Sequence, residues 1–280
     1  MRTLIVGVNG SLGHVTASSL LSKGVPVDAV FHERSDGLPE GLGDRLPTDR
    51  LESISGRMYD VVLVTAGFVP YGRMDTADPR LAETNVGLVL RVCRAFPRAR
   101  VVLASSVAVY GTPAGRLTER APFDRPTLYG LSKLGGEAVV RQHASYAAIR
   151  FSSLYGPGMA PSTFLPLIIH AARTIKSIEV WGDGSRRQDY LNLADAAAMM
   201  IASASLEWSG VLLGVSGKST SNLDVARLVA ACFESCEVRL VGTDTSPSFD
   251  FDAAESHARL QWSPAVTLDE GIRAMVVEDV

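Results

Sequence analysis

The chain has 280 residues, of which 46% are hydrophobic and 20% charged, and its formal net charge is -3. This length and composition suffice to bury a large core without disulfides or metals, and they predict one large α/β domain, alone or with a small lobe. The low charge and scattered arginines exclude the basic surface that binds nucleic acid or anionic membranes, and no apolar run reaches the roughly 18 residues of a membrane span.

The three cysteines, Cys93, Cys232 and Cys236, lack a second cysteine or histidine pair at zinc-ligand spacing. We therefore expect reduced thiols and no metal, with a disulfide or metal role as the less favoured alternative. The amino terminus enters a strand-like run at once, without the apolar core and cleavage site of a signal peptide. We expect a cytoplasmic protein whose ligand is a small molecule.

Short apolar runs bounded by Gly or Asp alternate with longer stretches of helical spacing, a pattern typical of a parallel sheet covered on both faces. The predicted strands are Thr3–Val6, Val25–Phe31, Asp60–Thr65, Arg100–Ala104 and Tyr146–Phe151. The predicted helices are Leu12–Lys23, Pro79–Phe96 and Leu128–His143. A further strand is expected before Asp44, although residues 37–46 are rich in glycine and proline.

After Gly158 the elements become shorter and turns more frequent, which indicates a smaller second lobe. The fold class is therefore α/β, a Rossmann-type doubly wound parallel sheet with a smaller carboxyl-terminal lobe. We expect residues 1–152 to form the dinucleotide-binding domain that carries the catalytic residues. Residues 153–280 mainly form the substrate-binding lobe, with some segments returning to the core.

A glycine-rich segment, Gly7-Val8-Asn9-Gly10-Ser11-Leu12-Gly13, follows the first strand and opens the first helix. Glycines permit a tight turn, the close approach of a pyrophosphate and close helix packing, while the helix amino terminus offers free N–H groups. The spacing is GxxGxxG and not the GxGxxG of the standard fingerprint, so a plain strand-to-helix turn is the alternative. The predicted cofactor contacts here are Gly7, Asn9, Gly10, Ser11, Leu12 and Gly13.

The end of the second strand bears on the choice between NAD and NADP. A carboxylate there accepts bonds from the ribose 2'-hydroxyl, whereas a basic residue holds a 2'-phosphate. Glu33 suits the hydroxyl, but His32 and Arg34 suit the phosphate, so NAD and NADP both stay open with a slight preference for NADP. Asp44 is a candidate adenine contact, or alternatively a surface carboxylate in a loop.

Tyr129 and Lys133 are four residues apart on a predicted helix and therefore lie side by side. A phenol with a pKa of about 10 needs about 4 kcal/mol to exchange protons at neutral pH, which an ammonium and the nicotinamide ring can supply. Lys133 can also hold the nicotinamide ribose. A chance pair on an exposed helix is the alternative.

Two serines end a buried strand, at the edge where parallel sheets bind their ligands. The Ser106 hydroxyl can bond the substrate oxygen and, with Tyr129, polarise a carbonyl. Ser105 is expected behind it, with a structural cap of the turn as the alternative. The predicted catalytic residues are Ser106, Tyr129 and Lys133.

With these residues in order, the chain resembles the extended short-chain dehydrogenase/reductase family, also called the NAD-dependent epimerase/dehydratase family, over nearly its whole length. The further landmarks are Thr65-Ala66-Gly67, Asn85-Val86-Gly87, Ser105–Gly111, Glu137, Tyr155–Gly158, Gly182–Tyr190 with Asp195, and Leu260–Pro264. The resemblance implies Tyr129 as the acid/base with Lys133 and Ser106 as partners, Ala66 and Gly67 at the cofactor, and a nucleotide-activated sugar as substrate. Apolar positions in the helices near 85–96 and 129–143 predict a homodimer, as the family also suggests.

Three positions depart from the family pattern. Gln188 stands where arginine usually precedes the aspartate, so Arg187, or Arg186, is the candidate diphosphate contact by similarity. Ser153 stands where many sugar-nucleotide enzymes carry asparagine, and Phe31 where many NAD-using relatives have aspartate. The predicted substrate contacts are Ser106, Ser153 and Arg187.

The residues after Ser106 bear on the reaction. Dehydratases resembling this chain place an acidic pair there, but Val107 and Ala108 follow here, which disfavours dehydration. Two reactions remain: a 4-epimerase with a retained cofactor, and a 4-ketoreductase that consumes NAD(P)H once, slightly favoured by the missing strand-end aspartate. The alternatives are a dehydrogenase or reductase of a non-sugar carbinol and a non-catalytic dinucleotide-binding sensor.

Overall fold

The structure, a computed structural model, describes residues 1–33, 35–70, 78–112, 114–157, 159 and 162–278. The strands are β1 (Thr3–Val6), β2 (Val27–Phe31), β3 (Arg45–Pro47), β4 (Val61–Val64), β5 (Arg100–Ser106), β6 (Arg116–Leu117), β7 (Tyr146–Phe151), β8 (Ser153–Tyr155), β9 (Ser177–Trp181), β10 (Arg187–Asn192), β11 (Gly210–Gly214), β12 (Ser219–Ser221), β13 (Glu237–Val241) and β14 (Asp250–Phe251). The α-helices are α1 (Ser11–Ser22), α2 (Arg80–Ala82), α3 (Leu88–Ala95), α4 (Leu128–Val140), α5 (Phe164–Ile175), α6 (Leu193–Ala204), α7 (Asn222–Ala230), α8 (Ala254–Leu260) and α9 (Leu268–Glu278).

Seven strands form one parallel sheet in the order β11-β7-β5-β4-β1-β2-β3. One face packs on α1 and α6 and the other on α3 and α4, so the central strands are buried on both sides and read as continuous apolar runs. The predicted α/β, Rossmann-type doubly wound fold is confirmed. Its carboxyl edge is the edge at which such sheets bind ligands.

The third strand was expected before Asp44, and this expectation is wrong. The structure places β3 directly after it, at the edge of the sheet beyond β2. The reason is the preceding turn, in which Gly41 has a φ of +83° and the Gly43 N–H donates to the Val27 carbonyl at 2.9 Å. The glycine-rich residues form this turn, and the strand that follows it has three residues.

The predicted helix Pro79–Phe96 is interrupted. A π-helical turn, Glu83–Gly87, separates α2 from α3 and carries the buried Asn85. The Asn85 amide accepts from the Phe68 N–H at 2.9 Å and donates to the Phe68 carbonyl at 3.0 Å and to the Ser132 hydroxyl at 2.9 Å. Asn85 thus ties the loop after β4 to α4, and π-helical turns of this kind recur at functional sites.

The second half of the chain contributes to both layers. β11 and α6 complete the first layer, whereas β12, β10 and β8 form a three-stranded sheet over a separate core between α5, α7 and α9. The division at residue 152 stays a prediction. In the described part of the chain, no helix has the length and apolar character to cross a membrane, and no group of three or more acidic, histidine or cysteine side chains is placed to hold a metal ion.

Candidate active site

The glycine-rich loop between β1 and α1 has the geometry of an anion site. Gly7 has a φ of +97°, and a Cβ there would lie 2.4 Å from the Ala66 nitrogen. The residue before α1 is Gly10, and within the described chain no side chain caps this helix. The N–H groups of the first turn can therefore bind an anionic group, and the loop fits a dinucleotide phosphate.

A cleft of about 370 Å³ lies beside this loop, over the carboxyl ends of β1 and β4. Its predicted lining residues are Gly7, Asn9, Gly10, His32, Ala66 and Gly67. Asn9 holds His32 at the rim, donating to its carbonyl at 2.8 Å and accepting from its N–H at 3.3 Å. Ser11, Leu12 and Gly13 form the start of α1 behind the loop, and Arg34 lies outside the described residues.

The cleft has further lining residues that were not predicted as cofactor contacts. The additional lining residues are Thr48, Thr65, Glu83, Thr84, Leu88 and Arg91. Arg91 pairs with Glu52 at 2.5 Å and donates to the Thr48 carbonyl at 2.8 Å, and its guanidinium lowers the pKa of Glu52 to about 2. Helical spacing would not have placed Glu83 and Leu88 together, because the π-helical turn that begins at Glu83 and ends before Leu88 interrupts this helix.

Asp44 is not brought to the cleft. It precedes β3 beside the amino-terminal half of β2, where its N–H donates to the Asp28 carboxylate at 2.9 Å. Its own carboxylate pairs with Arg57 at the surface. The predicted adenine contact is therefore corrected: β3 starts after Asp44, which leaves this residue short of the carboxyl edge.

Two glycines of this loop, Gly13 and Gly10, differ in the space around them and can be compared by substitution. A Cβ on Gly13 would lie 2.2 Å from the Gly7 carbonyl oxygen, whereas one on Gly10 would meet nothing nearer than that oxygen at 3.5 Å. We expect Gly13→Ala to lower the free energy of unfolding by about 2 kcal/mol, the usual cost of overpacking a closed site. Gly10→Ala should fold normally but weaken dinucleotide binding. Denaturant unfolding and fluorescence titration distinguish them, and equal stabilities would contradict the assignment.

Lys133 is buried within the carboxyl edge of the sheet. Its ammonium nitrogen donates to the Ala104 carbonyl at 3.1 Å and lies 6.0 Å from the centre of the Tyr129 ring. Burial lowers the pKa of Lys133 to about 8, against the raising effect of the Glu137 carboxylate. A Cβ on Gly67 would lie 2.7 Å from the same nitrogen, so Lys133 adjoins the dinucleotide cleft.

Ser106 ends β5 and caps the following 3₁₀ turn. Its hydroxyl oxygen accepts the Ala108 N–H at 3.2 Å, so its proton is left to donate to another acceptor. The same turn contacts α4, because a Cβ on Gly130 would lie 2.3 Å from the Ala108 oxygen. The structure thus brings Ser106 and the amino-terminal turns of α4, with Tyr129 and Lys133, to the carboxyl end of β5.

Behind these residues lies a buried ion pair. Glu137 and Arg150 are each 1% exposed and pair through two bonds of 2.9 and 2.8 Å. The Ser105 hydroxyl donates to Glu137 at 2.7 Å, and Arg150 donates to the Tyr110 hydroxyl at 2.9 Å. Glu137 is one helical turn after Lys133, so this network fixes α4 to β5 and β7.

A second cavity, of about 180 Å³, opens at Ser106. Its lining residues are Ser106, Val107, Ala108, Ser152, Ser153, Gln188, Asp189, Phe249 and Phe251. It joins the predicted residues Ser106 and Ser153. Arg187 is not among the lining residues: its side chain is exposed and donates to the Ser219 carbonyl, while Arg186 donates to Pro247. The structure therefore does not bring the predicted diphosphate arginine to this cavity.

Asp189 is the acidic residue of this lining and is buried. Its carboxylate accepts from the Ser152 hydroxyl at 2.7 Å, from the Ser216 hydroxyl and N–H at 2.7 and 2.8 Å, and from the Lys218 N–H at 3.1 Å. Burial raises the pKa of Asp189. The bonds from Ser152 and Ser216 join β10 to the residues after β7 and β11, and the bond from Lys218 joins it to the residue before β12.

The sheet order, the glycine loop and the Tyr129–Lys133 pair together define a dinucleotide-binding enzyme of the short-chain dehydrogenase/reductase fold. The chain belongs to the NAD dependent epimerase/dehydratase family, whose sequence model matches residues 3–208.

Individual relatives are similar along most of their length. The dTDP-L-rhamnose 4-epimerase of Burkholderia thailandensis is 31% identical, with 86% of this chain covering 80% of that protein. The UDP-glucose 4-epimerase of Mycolicibacterium smegmatis is 24% identical over 99% of this chain and 97% of its own. The structure of MoeE5 in complex with UDP-glucose and NAD is 25% identical, covers 100% of this chain and 98% of its own, and has a TM-score of 0.88.

Proposed function

We propose that the protein moves hydride at carbon 4 of a nucleotide-activated sugar, between a carbinol and a ketone. The observation that carries this proposal is the cavity at Ser106, which opens at the carboxyl end of β5, the strand whose Ala104 carbonyl accepts the Lys133 ammonium beside the dinucleotide cleft. The similarity to nucleotide-sugar 4-epimerases and to a structure holding a UDP-sugar and NAD supports it.

The chain's own residues would handle the proton. A nicotinamide dinucleotide held by the glycine loop supplies hydride exchange. With a pKa of about 8, Lys133 is mostly protonated at neutral pH, and its charge favours the phenolate of Tyr129. The Tyr129 oxygen then takes the proton from the sugar hydroxyl as the carbonyl forms, and the Ser106 hydroxyl donates a hydrogen bond to the same sugar oxygen.

Dehydration is disfavoured by the same cavity. Elimination needs an acid and a base at adjacent carbons, but Val107 and Ala108 follow Ser106 in the lining. Asp189 is the acidic member of that lining, and four donors already occupy its oxygens. The similar proteins include both 4-epimerases and 4,6-dehydratases, and because Val107 and Ala108 disfavour dehydration, epimerisation is the reaction best supported. The 4-ketoreductase is the second candidate, because β2 ends in Phe31 and not in a carboxylate.

The preference for NADP over NAD stays a prediction. Its support is His32, which lines the cleft and would face a 2'-phosphate, but Glu33 lies 3.3 Å from the His32 ring and would repel that phosphate. Denaturing the purified protein and identifying the released dinucleotide decides cofactor and reaction together. Stoichiometric NAD released only on denaturation is expected for the epimerase, an empty site preferring NADPH would indicate the ketoreductase, and binding of neither dinucleotide would overturn the proposal.

A homodimer through α3 and α4 is a second prediction, as is a cytoplasmic location. The two helices lie side by side and bound a groove of about 610 Å³, in whose lining Leu90 is 37% exposed; Leu131, nearer the start of α4, is 49% exposed. Covering this apolar surface with a second copy would exclude it from water. We expect sedimentation equilibrium at micromolar concentration to give twice 29.9 kDa and Leu90→Asp to lower it toward the monomer. A monomeric parent protein would contradict the prediction.

A further inference from the structure

The cavity at Ser106 has a polar side and an apolar side. Ser152, Ser153 and Gln188 provide the polar side. Val107, Ala108 and two phenylalanines provide the other, with the rings of Phe249 and Phe251 stacked at 6.1 Å and inclined by 9°. The Phe249 N–H donates to the Arg187 carbonyl at 3.0 Å, which fixes this segment along β10. The apolar side is therefore a built wall.

The cavity lining contains an acidic residue and no basic one among the described residues. Among the described residues that line this cavity, none is lysine, arginine or histidine, and Asp189 is the acidic one. The nearest basic residues in the sequence, Arg186 and Arg187, are turned to the carbonyls of Pro247 and Ser219. The amide nitrogen of Gln188 donates to the Tyr190 hydroxyl and the Asn222 side chain, each at 3.0 Å. A negatively charged group on the sugar, in addition to the diphosphate, would find no cationic partner in this cavity.

We propose that the sugar is an uncharged 6-deoxyhexose, whose methyl group lies against the wall formed by Val107, Ala108, Phe249 and Phe251. This inference rests on the proposed function, because it takes Ser106 to bond the oxygen of carbon 4. Carbon 6 is two bonds from carbon 4, so its substituent lies close to the Ser106 hydroxyl, where the cavity opens.

A carboxylate and a hydroxymethyl group are the alternatives to a methyl group at carbon 6, and they differ in the free energy of binding that they lose. A carboxylate at carbon 6 would lose water without gaining a cation and would lie in the same cavity as Asp189, and burying an unpaired charge is strongly unfavourable. A hydroxymethyl group adds one hydroxyl to an apolar wall, which such a wall rejects only weakly. We therefore expect preference to fall from methyl to hydroxymethyl by about tenfold, and from methyl to carboxylate by at least about a hundredfold.

The test compares three nucleoside diphosphate hexoses that share nucleotide and ring stereochemistry and differ only at carbon 6, in a thymidine and a uridine series. The measured quantity is kcat/KM, with the protein loaded with its dinucleotide. The methyl sugar is expected to be best in the series that the protein accepts. A kcat/KM for the carboxylate sugar that equals or exceeds that for the methyl sugar would overturn this inference and leave the proposed function intact. No turnover of any member by folded, dinucleotide-bound protein would overturn the proposed function and this inference with it.

Two pairs of variants test the cause. Gln188→Arg adds a cation to the lining, and Gln188→Met removes the amide without adding one. We expect the arginine variant to raise kcat/KM for the carboxylate sugar, relative to the methyl sugar, at least about tenfold above the methionine variant. Phe249→Arg and Phe249→Leu repeat the comparison at the apolar wall, should the first pair fold poorly. Equal ratios within both pairs would overturn the inference.

Discussion

Tyr129→Phe should lower kcat about a thousandfold while leaving the dinucleotide affinity within about twofold. The phenol oxygen is the group proposed to take and return the proton, and the variant removes that oxygen but keeps the ring beside Lys133. Phenylalanine keeps the aromatic volume in the first turn of α4, so the fold should be unaffected. Stopped-flow measurement of hydride transfer, with NADH fluorescence for binding, gives both quantities.

Tyr146→Phe is the matched control for this variant. Tyr146 begins β7 at the amino edge of the sheet, opposite the proposed site, and its loss of a hydroxyl should leave kcat unchanged. A Tyr129→Phe enzyme with kcat within tenfold of the parent would show that another group carries the proton. A loss of dinucleotide binding in that variant would assign Tyr129 to binding and not to chemistry.

Glu137→Gln is expected to lower the free energy of unfolding by about 3 kcal/mol. The carboxylate forms two bonds with Arg150 inside the protein, and the substitution leaves that guanidinium buried without its counter-charge. The variant also removes the negative charge that raises the pKa of Lys133, so that pKa should move below its present value of about 8. The limb of the pH–rate profile that reports Lys133 should shift to lower pH.

Denaturant unfolding of a double-mutant cycle separates the pair from its surroundings. Arg150→Met alone removes the buried partner of Glu137 and leaves it only the half-exposed Arg141 at 3.5 Å, whereas the double variant Glu137→Gln, Arg150→Met removes both buried charges and should recover most of the lost stability. Additive losses in the double variant would contradict the pairing. An unmoved pH–rate limb in Glu137→Gln would show that Glu137 acts on the fold and not on Lys133.

Much of the first half of the fold could be predicted from the sequence, because strands buried on both faces read as short apolar runs. Thr3–Val6 and Tyr146–Phe151 match β1 and β7 to the residue. The third strand was misplaced because its position depends on the turn at Gly41, whose register is set by pairing with β2 and not by local propensity. The π-helical turn at Asn85 is likewise a tertiary effect, since one buried amide bonds to Phe68 and Ser132.

The candidate site also combines residues that local sequence patterns predict with residues that only tertiary contacts bring there. Residues fixed by a strand end or by helical spacing, such as Ser106, Tyr129 and Lys133, could be predicted to lie at one sheet edge, because local periodicity determines where their backbones lie. The wall contributed by Phe249 was not, since β14 reaches the cavity by pairing with β6, and about 130 residues separate these short strands in sequence. The side chain of Arg187 was assigned to the substrate by similarity, but its direction depends on the antiparallel partner β12.

The bonds of Asp189 also bear on the mechanics of the protein. They tie β10, in the second lobe, to Ser152 and Ser216 at the ends of two strands of the large sheet. A hinge at this boundary would have to break these three hydrogen bonds to one buried carboxylate, and the broken bonds would leave its oxygens unsatisfied. The two lobes should therefore move as a single rigid body. Sugar admission and product escape then depend on local loop rearrangement, and large-scale closure of one lobe on the other is not expected during turnover.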